Sequence, residues 1–168
     1  MIFVLTGPES TGKTSLARSL ADRFRAGFVK EQARGYLKGR SGYLPSDLLA
    51  IADFQSAAEE AVGDGEVVIA DTDLQVVSIW WREKYGVLPA KLARAYSDQS
   101  PRCYLLCEPD IKWQADPLRE NPVDRDRLFE LYKQDLGLRG LPFAIVSGDG
   151  DARFDCAEAA LINWLDRT

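Results

Sequence analysis

Lys13 and Thr14, set behind two glycines at a fixed distance, are the residues of this chain best suited to handling phosphate. The run Gly7-Pro8-Glu9-Ser10-Thr11-Gly12-Lys13-Thr14 fits G-x-x-x-x-G-K-[ST], the Walker A loop. The spacing has a physical reason. Gly7 and Gly12 let the backbone curl so that successive N–H groups of Glu9, Ser10, Thr11 and their neighbours converge on phosphate oxygens. A helix opening at Lys13 adds the positive end of its dipole, with Ser15 in its first turn. Lys13 can reach the β- and γ-phosphates of a nucleoside triphosphate, and the Thr14 hydroxyl can ligate Mg²⁺. A nucleoside triphosphate and Mg²⁺ are therefore the expected ligands.

Carboxylates stand at two other points where such chemistry needs them. Val67-Val68-Ile69-Ala70 runs into Asp71-Thr72-Asp73, a Walker B pattern in which Asp71 would hold the metal directly or through water. Asp71, Thr72 or Asp73 must also cap the following helix. Asp73 is open to three roles: cap, contact to substrate hydroxyls, or proton acceptor. Gly27-Phe28-Val29-Lys30 leads into Glu31-Gln32-Ala33-Arg34. There Glu31 could take the proton of an attacking hydroxyl and Arg34 could stabilise anionic oxygens. The competing reading is a solvated Glu and Arg opening a helix.

Residues 109–127 carry three prolines and four basic residues and pass into a helical pattern. This reads as a lid segment. Arg119, Arg125 and Arg127 are candidates to close over the triphosphate, at least one of them being simply solvated. Trp80, Trp81, Tyr85 and Trp113 could supply a flat face for a planar ring, although adjacent Trp80 and Trp81 imply that at least one packs in the core.

The elements that must position these residues are legible as short apolar runs alternating with helical patterns. They predict an α/β fold, a doubly wound parallel sheet with helices on both faces. Strands are expected at 2–6, 27–30, 66–70, 102–107 and 142–147. Helices are expected at about 13–25, 46–62, 73–85, 89–98, 124–137 and 152–166, with Ser46 as an N-cap and Gly63-Asp64-Gly65 as a turn. Ligands of such sheets bind beyond the carboxyl ends of the strands, where all the candidate residues fall.

At 168 residues the chain fits one domain, 1–168. With 21 basic against 26 acidic residues and no basic run, it lacks the footprint of a nucleic-acid binder. There is no transmembrane stretch, and the apolar start is too short for a signal peptide. The absence of histidine removes a histidine base and a plausible zinc site. The three cysteines read as buried structural residues of a cytoplasmic protein, with Cys103 and Cys107 on one side of a strand. A small-molecule partner is expected, and self-association is left open.

Taken together, GPESTGKTSL with Glu9 inside the loop, Glu31…Arg34, Ala70-Asp71-Thr72-Asp73 before an aromatic helix, and W-x-x-D-x-L-R at Trp113, Asp116, Leu118 and Arg119 resemble the ribosylnicotinamide kinase domain of NadR-type NAD-salvage proteins. The resemblance implies a five-stranded parallel sheet ordered 2-3-1-4-5. It implies transfer of a phosphoryl group from ATP to the 5′-hydroxyl of nicotinamide riboside. Lys13, Glu31, Asp71, Asp73 and Arg119 would then serve catalysis, with Arg125 on the nucleotide. Glu31, Arg34, Asp73, Trp113 and Asp116 would contact the riboside. NadR-type proteins commonly carry a nucleotidyltransferase domain ahead of the kinase, whereas here Met1 opens the first strand, so the chain would phosphorylate the riboside without completing NAD. A kinase for another nucleoside, a nucleotide or another small metabolite, and a regulatory nucleotide switch, are the alternatives. The segment after the fourth strand, Cys107-Glu108-Pro109-Asp110-Ile111-Lys112, carries no N-K-x-D guanine signature.

Overall fold

The computed structural model describes residues 1–62, 67–116 and 119–167. Five short apolar runs form strands β1 (Ile2–Thr6), β2 (Gly27–Val29), β3 (Val68–Asp71), β4 (Arg102–Cys107) and β5 (Phe143–Val146). They lie in the order β2-β3-β1-β4-β5 with every pairing parallel. Parallel neighbours need crossovers, and helices supply them on both faces. These are α1 (Lys13–Phe24), α2 (Gln32–Tyr36), α3 (Pro45–Val62), α4 (Leu74–Tyr85), α5 (Ala90–Ser97), α6 (Arg125–Leu138) and α7 (Gly150–Leu165).

The period-two alternation of β1 divides the core. Phe3 and Leu5 pack with Leu16 and Leu20 of α1 and Leu161 of α7. Val4 faces the other way, with Ile79, Phe129 and Leu136 of α4 and α6. A third cluster joins Leu48 and Ile51 of α3 to Leu74, Val77 and Trp81 of α4 and Leu92 and Tyr96 of α5. Phe3, Val4 and Leu5 are fully buried, so the strand ends emerging from this core are held rigidly.

The boundaries depart from expectation in a few places. β3 runs to Asp71, because Asp71 still stands in register with Leu5. The short helix α2 follows β2 directly. Ser46 does not cap α3: Pro45 occupies the first helical position, and Asp47 reaches back to accept the Leu44 N–H at 2.7 Å. Cys103 and Cys107 are buried on one face as expected, whereas Cys156 is only half-buried. The expected turn at 63–65, the first residue of the expected third strand and Leu118 lie outside the described residues. No described helix is long and apolar enough to cross a membrane.

Candidate active site

The loop between β1 and α1 curls over the end of β4. Gly7 has φ +119°, and a Cβ there would stand 2.7 Å from the Cys107 carbonyl oxygen. Only glycine lets the loop pass this close to the sheet. Gly12 adopts the left-handed conformation at the start of α1, and Ser10 joins it with φ +57°. The Lys13 ammonium donates to the Gly7 and Pro8 carbonyls at 2.9 and 2.5 Å. Burial pulls its pKa down, opposed by the negative potential of Cys107, Glu31, Asp71 and Glu9. Thr11 is buried and donates to the Pro8 carbonyl.

Asp71 ends β3 at 1% exposure, and neither carboxylate oxygen has a hydrogen-bond partner. Burial raises its pKa. The Thr14 hydroxyl is near enough to pull the other way, without hydrogen-bonding geometry, as are the charges of Lys13, Arg18 and Arg34. A buried carboxylate with two unused oxygens beside the Walker A threonine is a fitting donor set for a hard divalent cation such as Mg²⁺. Three or more acidic or cysteine residues do not cluster as a self-contained metal site among the described residues, so phosphate oxygens and water would complete the shell.

The next residue, Thr72, takes φ +71°, an outlier for a β-branched side chain. This twist sends Asp71 and Asp73 to different surroundings. Asp73 is fully buried away from the cavity. It caps α4 by accepting the Gln75 N–H at 2.9 Å, and it takes Tyr104 Oη at 2.7 Å and the Arg102 guanidinium at 3.2 Å. The expected contact of Asp73 with substrate is therefore replaced by a structural one. Gln75 continues this network to Thr6, immediately before the phosphate loop, and to Asp135.

Glu31 follows β2, a quarter exposed, with Arg34 at 3.7 Å. Burial, then the nearby Asp71 charge, raises the Glu31 pKa, while Lys13 and Arg34 oppose the shift. Arg34 pairs with Asp116 at 2.6 Å, which joins the acceptor side to the 109–127 segment.

That segment is fastened onto the phosphate loop. The two oxygens of Glu9 accept Trp113 Nε1 at 3.0 Å and the backbone N–H groups of Glu120 and Asn121 at 2.9 and 2.8 Å. Ser10 Oγ accepts the Gln114 N–H at 2.9 Å and meets Arg119 at 3.3 Å. Arg119 thus stands at the phosphate loop as expected. Three other expectations are corrected. Arg125 donates to the Ser10 and Ile111 carbonyls, so its guanidinium ties loop to segment. Arg127 is spent on Asp124 and Glu83 at the surface. Trp113 does not line the cavity, and its indole anchors the segment on Glu9.

One cavity of about 810 Å³ connects the phosphate loop with Glu31, Arg34 and Arg119, and Thr72 is the residue of the 71–73 run that lines it. Beyond the phosphate loop, one end is bounded by Ser19, Lys112, Asp149 and Phe154. At the other end Glu31, Arg34, Trp80, Lys84 and Glu120 are among the walls. The aromatic face of this end is Trp80, whose Nε1 donates to Tyr43 Oη at 2.8 Å with the rings edge to face. Trp81 packs in the core instead. Sequence reasoning named Trp80 without separating it from Trp81, and overlooked Tyr43, Lys84 and Glu120. The α4 pattern carried a signal: Leu74, Val77 and Trp81 recur at core spacing, leaving Val76, Trp80 and Lys84 as an adjacent stripe. The cavity-lining residues 149–151 after β5, at the start of α7, were signalled by the strand-end rule.

A parallel sheet ordered 2-3-1-4-5, with a Walker A loop after its central strand and carboxylates at the neighbouring strand ends, defines a P-loop nucleoside triphosphate-binding domain. The chain belongs to the AAA_28 family of AAA domains, which matches residues 2–153. No curated protein sequence matches it significantly. Among solved structures it is similar to a NadR protein in complex with NR, with TM-score 0.76 and 21% identity over 96% of this chain and 50% of that one. A NadR protein in complex with NAD and AMP-PNP matches with TM-score 0.73 and 22% identity over 96% and 48%. Deoxyadenosine kinase from M. mycoides, with products dCMP and a flexible dCDP bound, matches with TM-score 0.67 and 14% identity over the full length of both chains. The chain spans about half the length of the NadR structures. It thus has the fold of nucleoside and nucleotide kinases.

Proposed function

We propose that this chain is an ATP-dependent kinase, folded as one domain with residues 109–127 as its lid, and that its acceptor is the 5′-hydroxyl of nicotinamide riboside. The observation that carries the kinase reading is the continuous cavity. A phosphate loop, a carboxylate with a raised pKa, and a walled chamber with an aromatic face share one space. A nucleotide switch needs the first of these and has no use for the last. The acceptor assignment is supported by the motif resemblance, by the fold shared with the NadR protein solved with NR, and by the chamber's chemistry. Trp80 offers a π-face, and Glu31, Glu83 and Glu120 border the same cavity. Both features attract a cationic pyridinium.

The roles of the residues follow from position. The loop N–H groups and Lys13 hold the β- and γ-phosphates. Thr14 and Asp71 would hold Mg²⁺, which when bound neutralises phosphate charge. Glu31 takes the proton of the acceptor hydroxyl as that oxygen attacks the γ-phosphorus, and ADP leaves from the opposite side. Arg119 neutralises the moving phosphoryl group. Arg34, locked to Asp116, brings the lid against the acceptor and excludes water.

ADP release measured with ATP alone, then with nicotinamide riboside, uridine or adenosine added, tests the reading. A riboside kinase stays nearly silent until nicotinamide riboside is added. Slow ADP release indifferent to every nucleoside would instead establish a switch.

A further inference from the structure

Three consecutive residues of the 109–127 segment alternate between the two sides of the site, phosphate loop, acceptor wall and phosphate loop again. Arg119 donates to Ser10 Oγ on the phosphate loop and to the Gln114 carbonyl. Glu120 turns its carboxylate to the acceptor wall, where Lys84 Nζ lies at 2.6 Å and Tyr43 Oη at 3.2 Å. Asn121 returns to Glu9 through its backbone N–H and its amide. Tyr43 is itself the acceptor for Trp80 Nε1. The aromatic face, the Lys84–Glu120 pair and Arg119 therefore form one chain of contacts from the acceptor wall to the phosphate loop.

From this we infer that Glu120 is a positioning residue, which sets the Arg119 guanidinium over the transferring phosphate according to the state of the acceptor wall. The inference rests on the kinase reading above. Lys84 and Trp80 are one helical turn apart on α4, so a ring lying on Trp80 would lie beside the Lys84–Glu120 pair. An acceptor that leaves the pair closed keeps Arg119 in place, and the γ-phosphate is directed to the hydroxyl. With the pair open, the Glu120 side chain no longer restrains the segment, Arg119 is left to its own bonds to Ser10 Oγ and the Gln114 carbonyl and to the backbone tie on Glu9, and water gains access to the phosphate.

The exposure of the pair argues against a stabilising purpose. Lys84 and Glu120 side chains are 41% and 40% exposed, and pairs of this kind contribute little to stability. A geometric role predicts a different loss, since displacing a charge by an ångström near the reacting group lowers turnover by up to about a hundredfold.

The test measures phosphoryl transfer, ATP hydrolysis without transfer, ATP affinity and melting temperature in the full chain. Glu120→Gln should lower transfer turnover about tenfold or more and raise the share of ATP lost to hydrolysis. ATP affinity should stay within about twofold of wild type, because the Glu9 tie and the loop are intact. The charge-swapped double variant Lys84→Glu/Glu120→Lys should recover most of the transfer lost in either single variant, which a defect of folding would not do. The inference is overturned if Glu120→Gln transfers as wild type does, if ATP affinity falls in step with turnover, or if the swap recovers nothing. A wild-type protein that phosphorylates no nucleoside overturns the kinase reading and this inference together, whereas an active wild type with an unaffected Glu120→Gln variant overturns only the latter.

Discussion

Replacing Asp73 by alanine, beside Asp71→Asn, tests the division of labour that the twist at Thr72 creates. Asp73 accepts from Gln75 N, Tyr104 Oη and Arg102, with no exposure to solvent. Truncation leaves a buried tyrosine hydroxyl unpaired and removes one of the two carboxylates that balance Arg102, the other being Glu59 at 3.0 Å. Breaking a buried ion pair from one side is worth about 3–5 kcal/mol. In a protein of this size each kcal/mol moves the melting temperature by roughly 2–4 °C, so Asp73→Ala should melt about 6–20 °C below wild type. Asp71→Asn should behave in the opposite way. Its carboxylate is buried with two unpartnered oxygens and a raised pKa. Removing that charge should leave the melting temperature unchanged or a few degrees higher, while phosphoryl transfer falls by about a hundred- to a thousandfold. Thermal unfolding by circular dichroism, paired with ADP release in the presence of acceptor, reads both quantities. An Asp73→Ala variant melting within 2 °C of wild type, on the same scale, would refute the buried-network argument. Equal destabilisation by both substitutions would remove Asp71 from the metal role and make it a structural residue.

Three further predictions follow from the site. Lys13→Ala should abolish transfer with the fold intact, since it removes a charge aimed at phosphate and no core contact; unchanged turnover in a folded variant would defeat the loop assignment. Glu31 should give the pH profile of kcat/KM an acidic limb above the ordinary carboxylate range, absent in Glu31→Gln. Because its folded pKa is raised, the folded state holds this proton more tightly than the unfolded chain. The stabilisation is complete below the unfolded value of about 4.3 and is lost as pH rises through the folded pKa, so Glu31→Gln should melt higher than wild type at neutral pH and the same at about pH 4. A variant melting lower at neutral pH would contradict the burial argument. Trp80→Ala should raise KM for nicotinamide riboside about five- to thirtyfold, the equivalent of roughly 1–2 kcal/mol of cation–π contact, with little change for ATP. Trp113→Phe, which loses only the hydrogen bond to Glu9, should lower turnover for every acceptor alike. A selectivity change in Trp113→Phe and none in Trp80→Ala would reverse the two assignments.

What the sequence made legible was whatever local spacing determines. The phosphate loop is eight contiguous residues, and β4 is an apolar run behind a single Arg102, so both fall where the residues predict. The sheet order followed from resemblance, since no local pattern encodes which strands adjoin. The errors lie where a side chain chooses a distant partner. Asp73 finds Arg102 and Tyr104 about thirty positions away, and nothing in Asp71-Thr72-Asp73 says which carboxylate turns inward. Trp113 matches a motif shared with riboside kinases, but a matching position does not fix the direction of a ring, and its indole goes to Glu9. Arg125 and Arg127 are two residues apart at a helix start. Only the contacts distinguish the one that ties the loop from the one that pairs at the surface.

Cys107 ends β4 directly beneath Gly7, and burial pushes its thiol up to about 11. Lys13 is close enough to favour the thiolate, but burial outweighs it. Alkylating reagents and peroxide attack thiolates, so the cysteine nearest the reactive lysine is the one they will not find. The half-buried Cys156, on the outer helix α7, is left as the position where a maleimide dye could be attached without touching the loop.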